Sequence, residues 1–235
     1  MLLKFNQMKQ LLVLLIMSIS CLNSHGQNIS RVTIGSRGEL EKISFGLDEY
    51  VIVNVSKDGN IIDWGTDHYL GRMENYQDKM EPYTGRVEYY GPNDNESFRG
   101  KIKSIGRTYF TYYASYDYEL VRGKLKSIGT LNMDYYQAYE NEAYKGNLKN
   151  IGQSILNWYG SSENAGLKGK LRSFGNTLLN YYGSFEDKAY QGKIKSIGQT
   201  NFTYYSSLDR IEYRGSMKTG SMLVFANGIK FYCKN

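Results

Sequence analysis

A chain built for acid–base or metal chemistry concentrates histidine, cysteine and carboxylate, and this one disperses them. It holds 2 His and 2 Cys in 235 residues. His68, between Asp67 and Tyr69, reads as a surface loop residue rather than a base or ligand, having no second histidine near it. The carboxylates Asp117, Glu140, Glu163, Glu186 and Asp209 recur once every 23 residues. A calcium loop needs them densely spaced, and glycoside hydrolysis needs two in unlike environments, whereas a repeat supplies equivalent ones. They read as turn residues. No catalytic, metal or cofactor set is expected, and a hydrolase is a remote alternative.

What does recur is a set of rings and ammonium groups: Tyr113, Tyr136, Tyr159, Tyr182 and Tyr205, with Lys101, Lys124, Lys170 and Lys193. Equivalent rings two strands apart would stand about 9–10 Å from one another. Such a ladder could stack on the sugar rings of a glycan or hold an extended extracellular or periplasmic protein. It could equally do nothing but stabilise a sheet, with lysine stems packed on rings at about 0.5–1 kcal/mol per pair.

The elements that position these residues are repeats. Glycines fall at 100, 123, 146, 169, 192 and 215, opening the segments GKIKSIG, GKLKSIG, GNLKNIG, GKLRSFG, GKIKSIG and a degenerate GSMKTGS. A second block follows each of the first five: YFTYYAS, NMDYYQA, ILNWYGS, LLNYYGS and NFTYYSS. Val87-Glu88-Tyr89-Tyr90 extends the array back to about Gly85. The β-branched and aromatic content, the glycine punctuation and the scarcity of proline predict two strands per unit in an antiparallel meander.

Alternation along the second strand puts Phe110, Met133, Leu156, Leu179 and Phe202 on one face with Tyr112, Tyr135, Trp158, Tyr181 and Tyr204. Thr111, Asp134, Asn157, Asn180 and Thr203 fall on the other, with the Tyr113 ladder. To bring Ile102 onto the apolar side, the hairpin loop must hold an odd number of residues. The expected loop is Gly106-Arg107-Thr108, with Ile102 opposite Tyr112, Lys101 opposite Tyr113 and Ile105 opposite Tyr109. The starting glycines would then lie beneath Tyr112-type rings. An apolar face needs a cover, so the expected body is a curved sheet, barrel-like or solenoid-like, coiled around that face or roofed by the N-terminal hairpins.

The N-terminus reads as an export signal over 1–26: Lys4 and Lys9, the apolar run at 11–17, then Ser24-His25-Gly26. Lipidation at Cys21 is a minority alternative. Removing 1–26 takes two of the 29 basic residues and leaves a charge of about +4. With lysines at repeated positions rather than in a run, nucleic acid is not an expected partner. The mature chain has no spanning helix and keeps one cysteine, Cys233, as a small filler. Residues 27–84 form an N-terminal hairpin region, with a turn at Asp58-Gly59 and an irregular stretch at 66–84; residues 85–235 are the array.

The pairing of GKIKSIG strands with FTYY strands resembles uncharacterised secreted repeat proteins of Bacteroidetes, over about Gly85 to Gly215. It is similar in period and strand count alone to the single-layer sheet of the spirochaete outer surface lipoprotein A. The resemblance implies an exported β-repeat protein and carries over no site residues. MORN repeats have a similar length, but their Tyr-x-Gly-x-Trp core is missing. The function expected from the sequence is a secreted or cell-envelope binding or scaffold module acting through its extended sheet, not an enzyme; a purely structural envelope protein is the alternative.

Overall fold

The computed structural model describes residues 27–47, 50–66 and 80–234. The leader with Cys21 and the stretch holding Asp67, His68 and Tyr69 lie outside the described residues. Among the described residues the fold is all-β and largely an antiparallel meander. No helix there is long and apolar enough to cross a membrane.

The array begins at β5 (Val87–Tyr89), after four earlier strands given below. It runs through β6 (Ile102–Ile105), β7 (Thr108–Tyr112), β8 (Leu125–Ile128), β9 (Leu131–Tyr135), β10 (Leu148–Ile151) and β11 (Ser154–Trp158). It continues with β12 (Leu171–Phe174), β13 (Thr177–Tyr181), β14 (Ile194–Ile197) and β15 (Thr200–Asn201). These strands lie side by side in chain order as an 11-stranded sheet whose two edges do not meet. β16 (Thr203–Tyr204) and β17 (Met217–Thr219) pair as a further hairpin in the same repeat register.

The expected three-residue hairpin loop is corrected to two residues. Ile105 pairs with Thr108 and Ser104 with Tyr109, leaving Gly106-Arg107 as the turn. Gly106 and its equivalents hold φ of 54–56°, while the residue after each keeps a negative φ, the pattern of a type II′ turn. Parity is restored by a β-bulge on the other side of the strand. Thr111 pairs with Ser127 and Tyr112 with Leu125, so Lys126 is an extra residue. The same extra position falls at Lys103, Lys149, Arg172, Lys195 and Lys218. A bulge shifts the alternation by one, which lets Ile102 and Ile105 both face the core. The expected pairing of Ile105 with Tyr109, and the equivalent pairings in later units, give way to Ile105 with Thr108, Ile151 with Ser154 and Phe174 with Thr177. Ile155 and Leu178 face solvent instead.

The cover of the apolar face comes from both chain ends. β1 (Asn28–Ile34), β2 (Leu40–Gly46), β3 (Val51–Val55) and β4 (Ile61–Thr66) form hairpins. β18 (Leu223–Ala226) and β19 (Ile229–Cys233) join them through a parallel pairing of β1 with β19. The last hairpin thus belongs to this six-stranded sheet and not to the array. Its turn, Asn227-Gly228, has φ of 49° and 79°, as a type I′ turn requires.

Val32, Ile34, Ile43, Phe45, Val53 and Phe231 of the smaller sheet share one buried cluster with Phe110, Leu125, Leu148, Leu156, Phe174 and Leu179 of the array. Hydrogen bonds seat one sheet on the other: Leu125 N donates to Gly59 O (3.2 Å) and Leu148 N to Lys57 O (2.7 Å), while Asn227 Nδ2 donates to Thr177 Oγ1 (2.9 Å). Cys233 fills space here, and burial pushes its thiol up to about 12.

Phe231, fully buried with its ring 6.5 Å from that of Phe174, should be a keystone of this layer. Phe231→Ala is expected to lower stability by about 3–5 kcal/mol, read as a fall in urea midpoint. Phe225→Ala, on the exposed side of the neighbouring strand, should change it by less than about 0.5 kcal/mol.

Candidate functional site

The two tyrosine rows are set by adjacent positions at the end of each unit's second strand, so one faces inward and the other outward. The inward row caps carbonyls beside the bulges. Tyr112 Oη donates to Ile102 O (3.0 Å), Tyr135 to Leu125 O (2.7 Å) and Tyr181 to Leu171 O (2.7 Å), while Trp158 Nε1 donates to Leu148 O (2.8 Å). A bulge disrupts the ladder locally, and these donors take up the carbonyl at that point.

The outward row ties each unit to the next. Tyr113 Oη donates to Met133 O (2.9 Å), Tyr136 to Leu156 O (2.9 Å), Tyr159 to Leu179 O (3.2 Å) and Tyr182 to Phe202 O (2.8 Å). Tyr136 and Tyr159 are buried, and Tyr113, Tyr182 and Tyr205 are half-buried. Loop rings lie against them: Tyr144 is 4.6 Å from Tyr136, Tyr190 is 4.7 Å from Tyr182 and Tyr213 is 5.5 Å from Tyr205. The ladder is therefore an internal seam rather than an open aromatic row.

The lysines also face inward. Lys124 Nζ donates to Gly146 O (2.6 Å) and Lys193 Nζ to Gly215 O (2.5 Å), and Lys101 and Lys170 make the same bond to Gly123 O and Gly192 O. Each carbonyl belongs to the starting glycine of the following unit. Those glycines hold φ of 72–77°, and a Cβ on Gly123 or Gly169 would stand within 3.0 Å of a carbonyl oxygen of the preceding loop. Close backbone approach and the left-handed turn, not a covering ring, require glycine.

The expected stacking of Lys101 on Tyr113 is replaced by another pairing. Lys101 lies over Tyr112 at 5.2 Å, as Lys124 does over Tyr135, Lys170 over Tyr181 and Lys193 over Tyr204. The bulge cations cover the outward row: Lys126 over Tyr113, Lys149 over Tyr136, Arg172 over Tyr159, Lys195 over Tyr182 and Lys218 over Tyr205, at 5.1–5.5 Å. Burial lowers the pKa of Lys101, Lys124, Lys170 and Lys193, opposed at Lys124 by Asp58 and at Lys170 by Glu39.

The repeated acids sit in the turns. Asp117 accepts from Ala114 N (2.6 Å), Glu140 from Gln137 N (2.6 Å) and Asp209 from Ser206 N (2.6 Å). Glu140, Glu163 and Glu186 reach the bulge cations Lys149, Arg172 and Lys195 at 2.6, 3.5 and 3.6 Å. Among the described residues no three His, Cys, Asp or Glu side chains gather as a metal site.

Free of internal work is a column that sequence reasoning passed over, at the tips of the loops between units. Tyr116, Tyr139, Phe185 and Leu208 are 86, 87, 98 and 94 % exposed. Asn93 and Ser162 hold the same column in the other loops. The available signal was their apolar or aromatic character beside the Asp or Glu that follows each in its turn. Cavities among the described residues accompany the array. One, of about 700 Å³, lies between β4 and the first unit beside Asp63, Trp64, Tyr83 and Lys101. Another, of about 730 Å³, lies between two loops, beside Tyr118 and Tyr139.

Tyr136→Phe is expected to cost about 1–3 kcal/mol by leaving Leu156 O without its donor, measured by urea denaturation. The rows also predict alkaline sensitivity. Burial raises the pKa of Tyr113 to about 12, with Asp134 adding to it, and raises those of Tyr112, Tyr135, Tyr181 and Tyr204 as well. A raised folded-state pKa gives stability that is whole below the unfolded value near 10 and is lost as pH climbs through the folded value. The lowered lysines work in the opposite sense, since deprotonation relieves their burial, but they are fewer and less buried. Stability should hold to about pH 10 and fall above it, with tyrosinate absorbance rising together with loss of the sheet signal in circular dichroism.

In comparisons with known proteins, no family model, no curated protein and no solved structure matches the chain.

Proposed function

We propose that the chain is exported and acts as a binding module whose contact surface is the loop edge of the array. One observation carries this reading: the near-complete exposure of Tyr116, Tyr139, Phe185 and Leu208 in a single column. Isolated exposed apolar side chains are ordinary. Four at one repeat position, in two pairs on neighbouring units about 9–10 Å apart with Ser162 between the pairs, form apolar patches along one edge, and such patches on folded proteins mark contact sites. Nothing in the fold calls for them, because Asn93 and Ser162 occupy the same position.

The signal-like N-terminus, with Lys4 and Lys9 ahead of the apolar run, supports export. The lysines that give the chain its positive charge are engaged with tyrosine rings and carbonyls, which argues against a phosphate backbone as partner. The repeated acids are engaged with turn amides and bulge cations, which supports a binding role over an enzymatic one. A purely structural envelope protein is the second reading, favoured by the internal use of the tyrosine ladder.

The test is saturable binding of the purified protein to immobilised polysaccharides and to solubilised envelope proteins. It is run beside the variant Tyr116→Ser, Tyr139→Ser, Phe185→Ser, Leu208→Ser. The parent should bind and the variant should lose at least roughly tenfold in affinity, about 1.4 kcal/mol, with an unchanged melting temperature. A parent that binds neither class, or a variant that binds as well, would move the reading to the structural protein.

A further inference from the structure

The loops between units are stitched by one side chain each. Asn95 Oδ1 accepts from Ser97 N in its own loop and from Ser115 N in the next, both at 3.1 Å. Asn141 does the same with Ala143 N and Ser161 N (3.0 and 3.1 Å), and Asn164 with Gly166 N and Ser184 N (3.0 Å each). Asp187 accepts from Ala189 N and Ser207 N (2.8 and 3.0 Å). These residues share one repeat position, which falls in the remaining internal loop on Tyr118. A phenol cannot cap two amides in this way, and among the described residues the amides of Leu120 and Ala138 have no such acceptor.

The neighbouring unit is adapted to the break. The position beside the stitching residue is small in the other loops: Ala114, Gly160, Gly183 and Ser206. A Cβ on Gly160 would meet Asn141 Nδ2 at 3.1 Å and one on Gly183 would meet Asn164 Nδ2 at 3.3 Å. Beside Tyr118 the position is the larger Gln137, its amide turned to Tyr135 O (3.1 Å). Where the stitch is missing, a groove of about 730 Å³ opens between the loops, lined by Tyr118, Glu119, Leu120, Lys124, Gln137 and Tyr139. Pockets of this volume suit small ligands. The rings of Tyr118 and Tyr139 are 79 and 87 % exposed, and Tyr116, at 86 %, is two residues from Tyr118.

We infer that this groove is a carbohydrate site for a short stretch of an extended, neutral glycan. This deepens the loop-edge reading and rests on it. Flat, exposed tyrosine rings present faces that match the C–H faces of sugar rings, and each ring carries a hydroxyl and little rotamer entropy. Glu119 and Gln137 supply acceptor and donor groups for sugar hydroxyls. Neighbouring loops lie about 9–10 Å apart, a span that a disaccharide of an extended chain covers between the rings of Tyr116 and Tyr139. Glu119 and Lys124 bring opposite charges to the lining, so no strongly charged ligand is selected. A proline-rich peptide would also meet the rings, but it would leave Glu119 and Gln137 without comparable partners.

The test uses isothermal titration of the purified full chain with cellohexaose, chitohexaose and mannohexaose, beside three variants. Tyr118→Asn should accept from the amides of Leu120 and Ala138, close the groove, raise the melting temperature and weaken binding at least tenfold. Tyr118→Phe should retain binding within about threefold, since it keeps the ring. The pair Phe185→Ser, Leu208→Ser, on other loops of the same edge, should weaken binding less than Tyr118→Asn does. Undiminished binding in Tyr118→Asn would overturn the site. If binding falls only in the Phe185 and Leu208 pair, this groove falls while the loop-edge reading stands. A parent that binds none of the three sugars overturns the carbohydrate assignment, including the case in which a proline-rich peptide binds instead; the envelope-protein arm of the earlier test then decides the loop edge separately.

Discussion

A strand that must put two isoleucines three positions apart on the same face cannot obey simple alternation. One extra residue per unit, the bulged cation at Lys103, Lys126, Lys149, Arg172, Lys195 and Lys218, resolves the conflict. Much else depends on it. The bulge turns Ile102 and Ile105 into the core together and permits a two-residue turn. It also disturbs the ladder where a Tyr112-type hydroxyl donates, and it carries a cation over the outward tyrosine ring. A single local irregularity, repeated, thus couples register, polar satisfaction and ring packing.

Units bound to one another in this way still leave a wide apolar face. In solenoids the neighbours bury each other, but a one-layer meander has neighbours only at its strand edges. Here the two chain ends meet, β1 running parallel to β19, and together they make the second layer. The array's length and its lid are therefore matched. A lid built from both ends also joins the first and last parts of the chain into one core, which favours cooperative unfolding over unit-by-unit fraying.

With the inward face under the lid and the outward tyrosines under loop rings and cations, the loop edge is where side chains are spared from structural work. A local rule that a repeat follows in several units and breaks in an internal one marks a place where the sequence departs from what the fold alone asks of it. Tyr118 is such a break, and the small-to-large change at Gln137 beside it shows the neighbouring unit adjusted to it.

Much of the fold was legible along the chain. The 23-residue period, two strands per unit, the apolar faces of Phe110 and Tyr112 with their equivalents, and the turn role of the acids all follow from spacing and alternation, which act within a few residues. The hairpin register was not legible, because a bulge changes parity without leaving a mark beyond a lysine that any exposed strand could hold. Nor was the fate of Tyr113 and Lys101: whether a ring or an amine is open to water depends on what stands over it, here loop residues and a bulge cation. The pairing of β1 with β19 joins residues some two hundred positions apart, and no local pattern encodes it. Sequence alone determined the repeat and which side chains of each unit's second strand share a face. Tertiary structure decided which face is covered and by what, because burial is a property of neighbours in space.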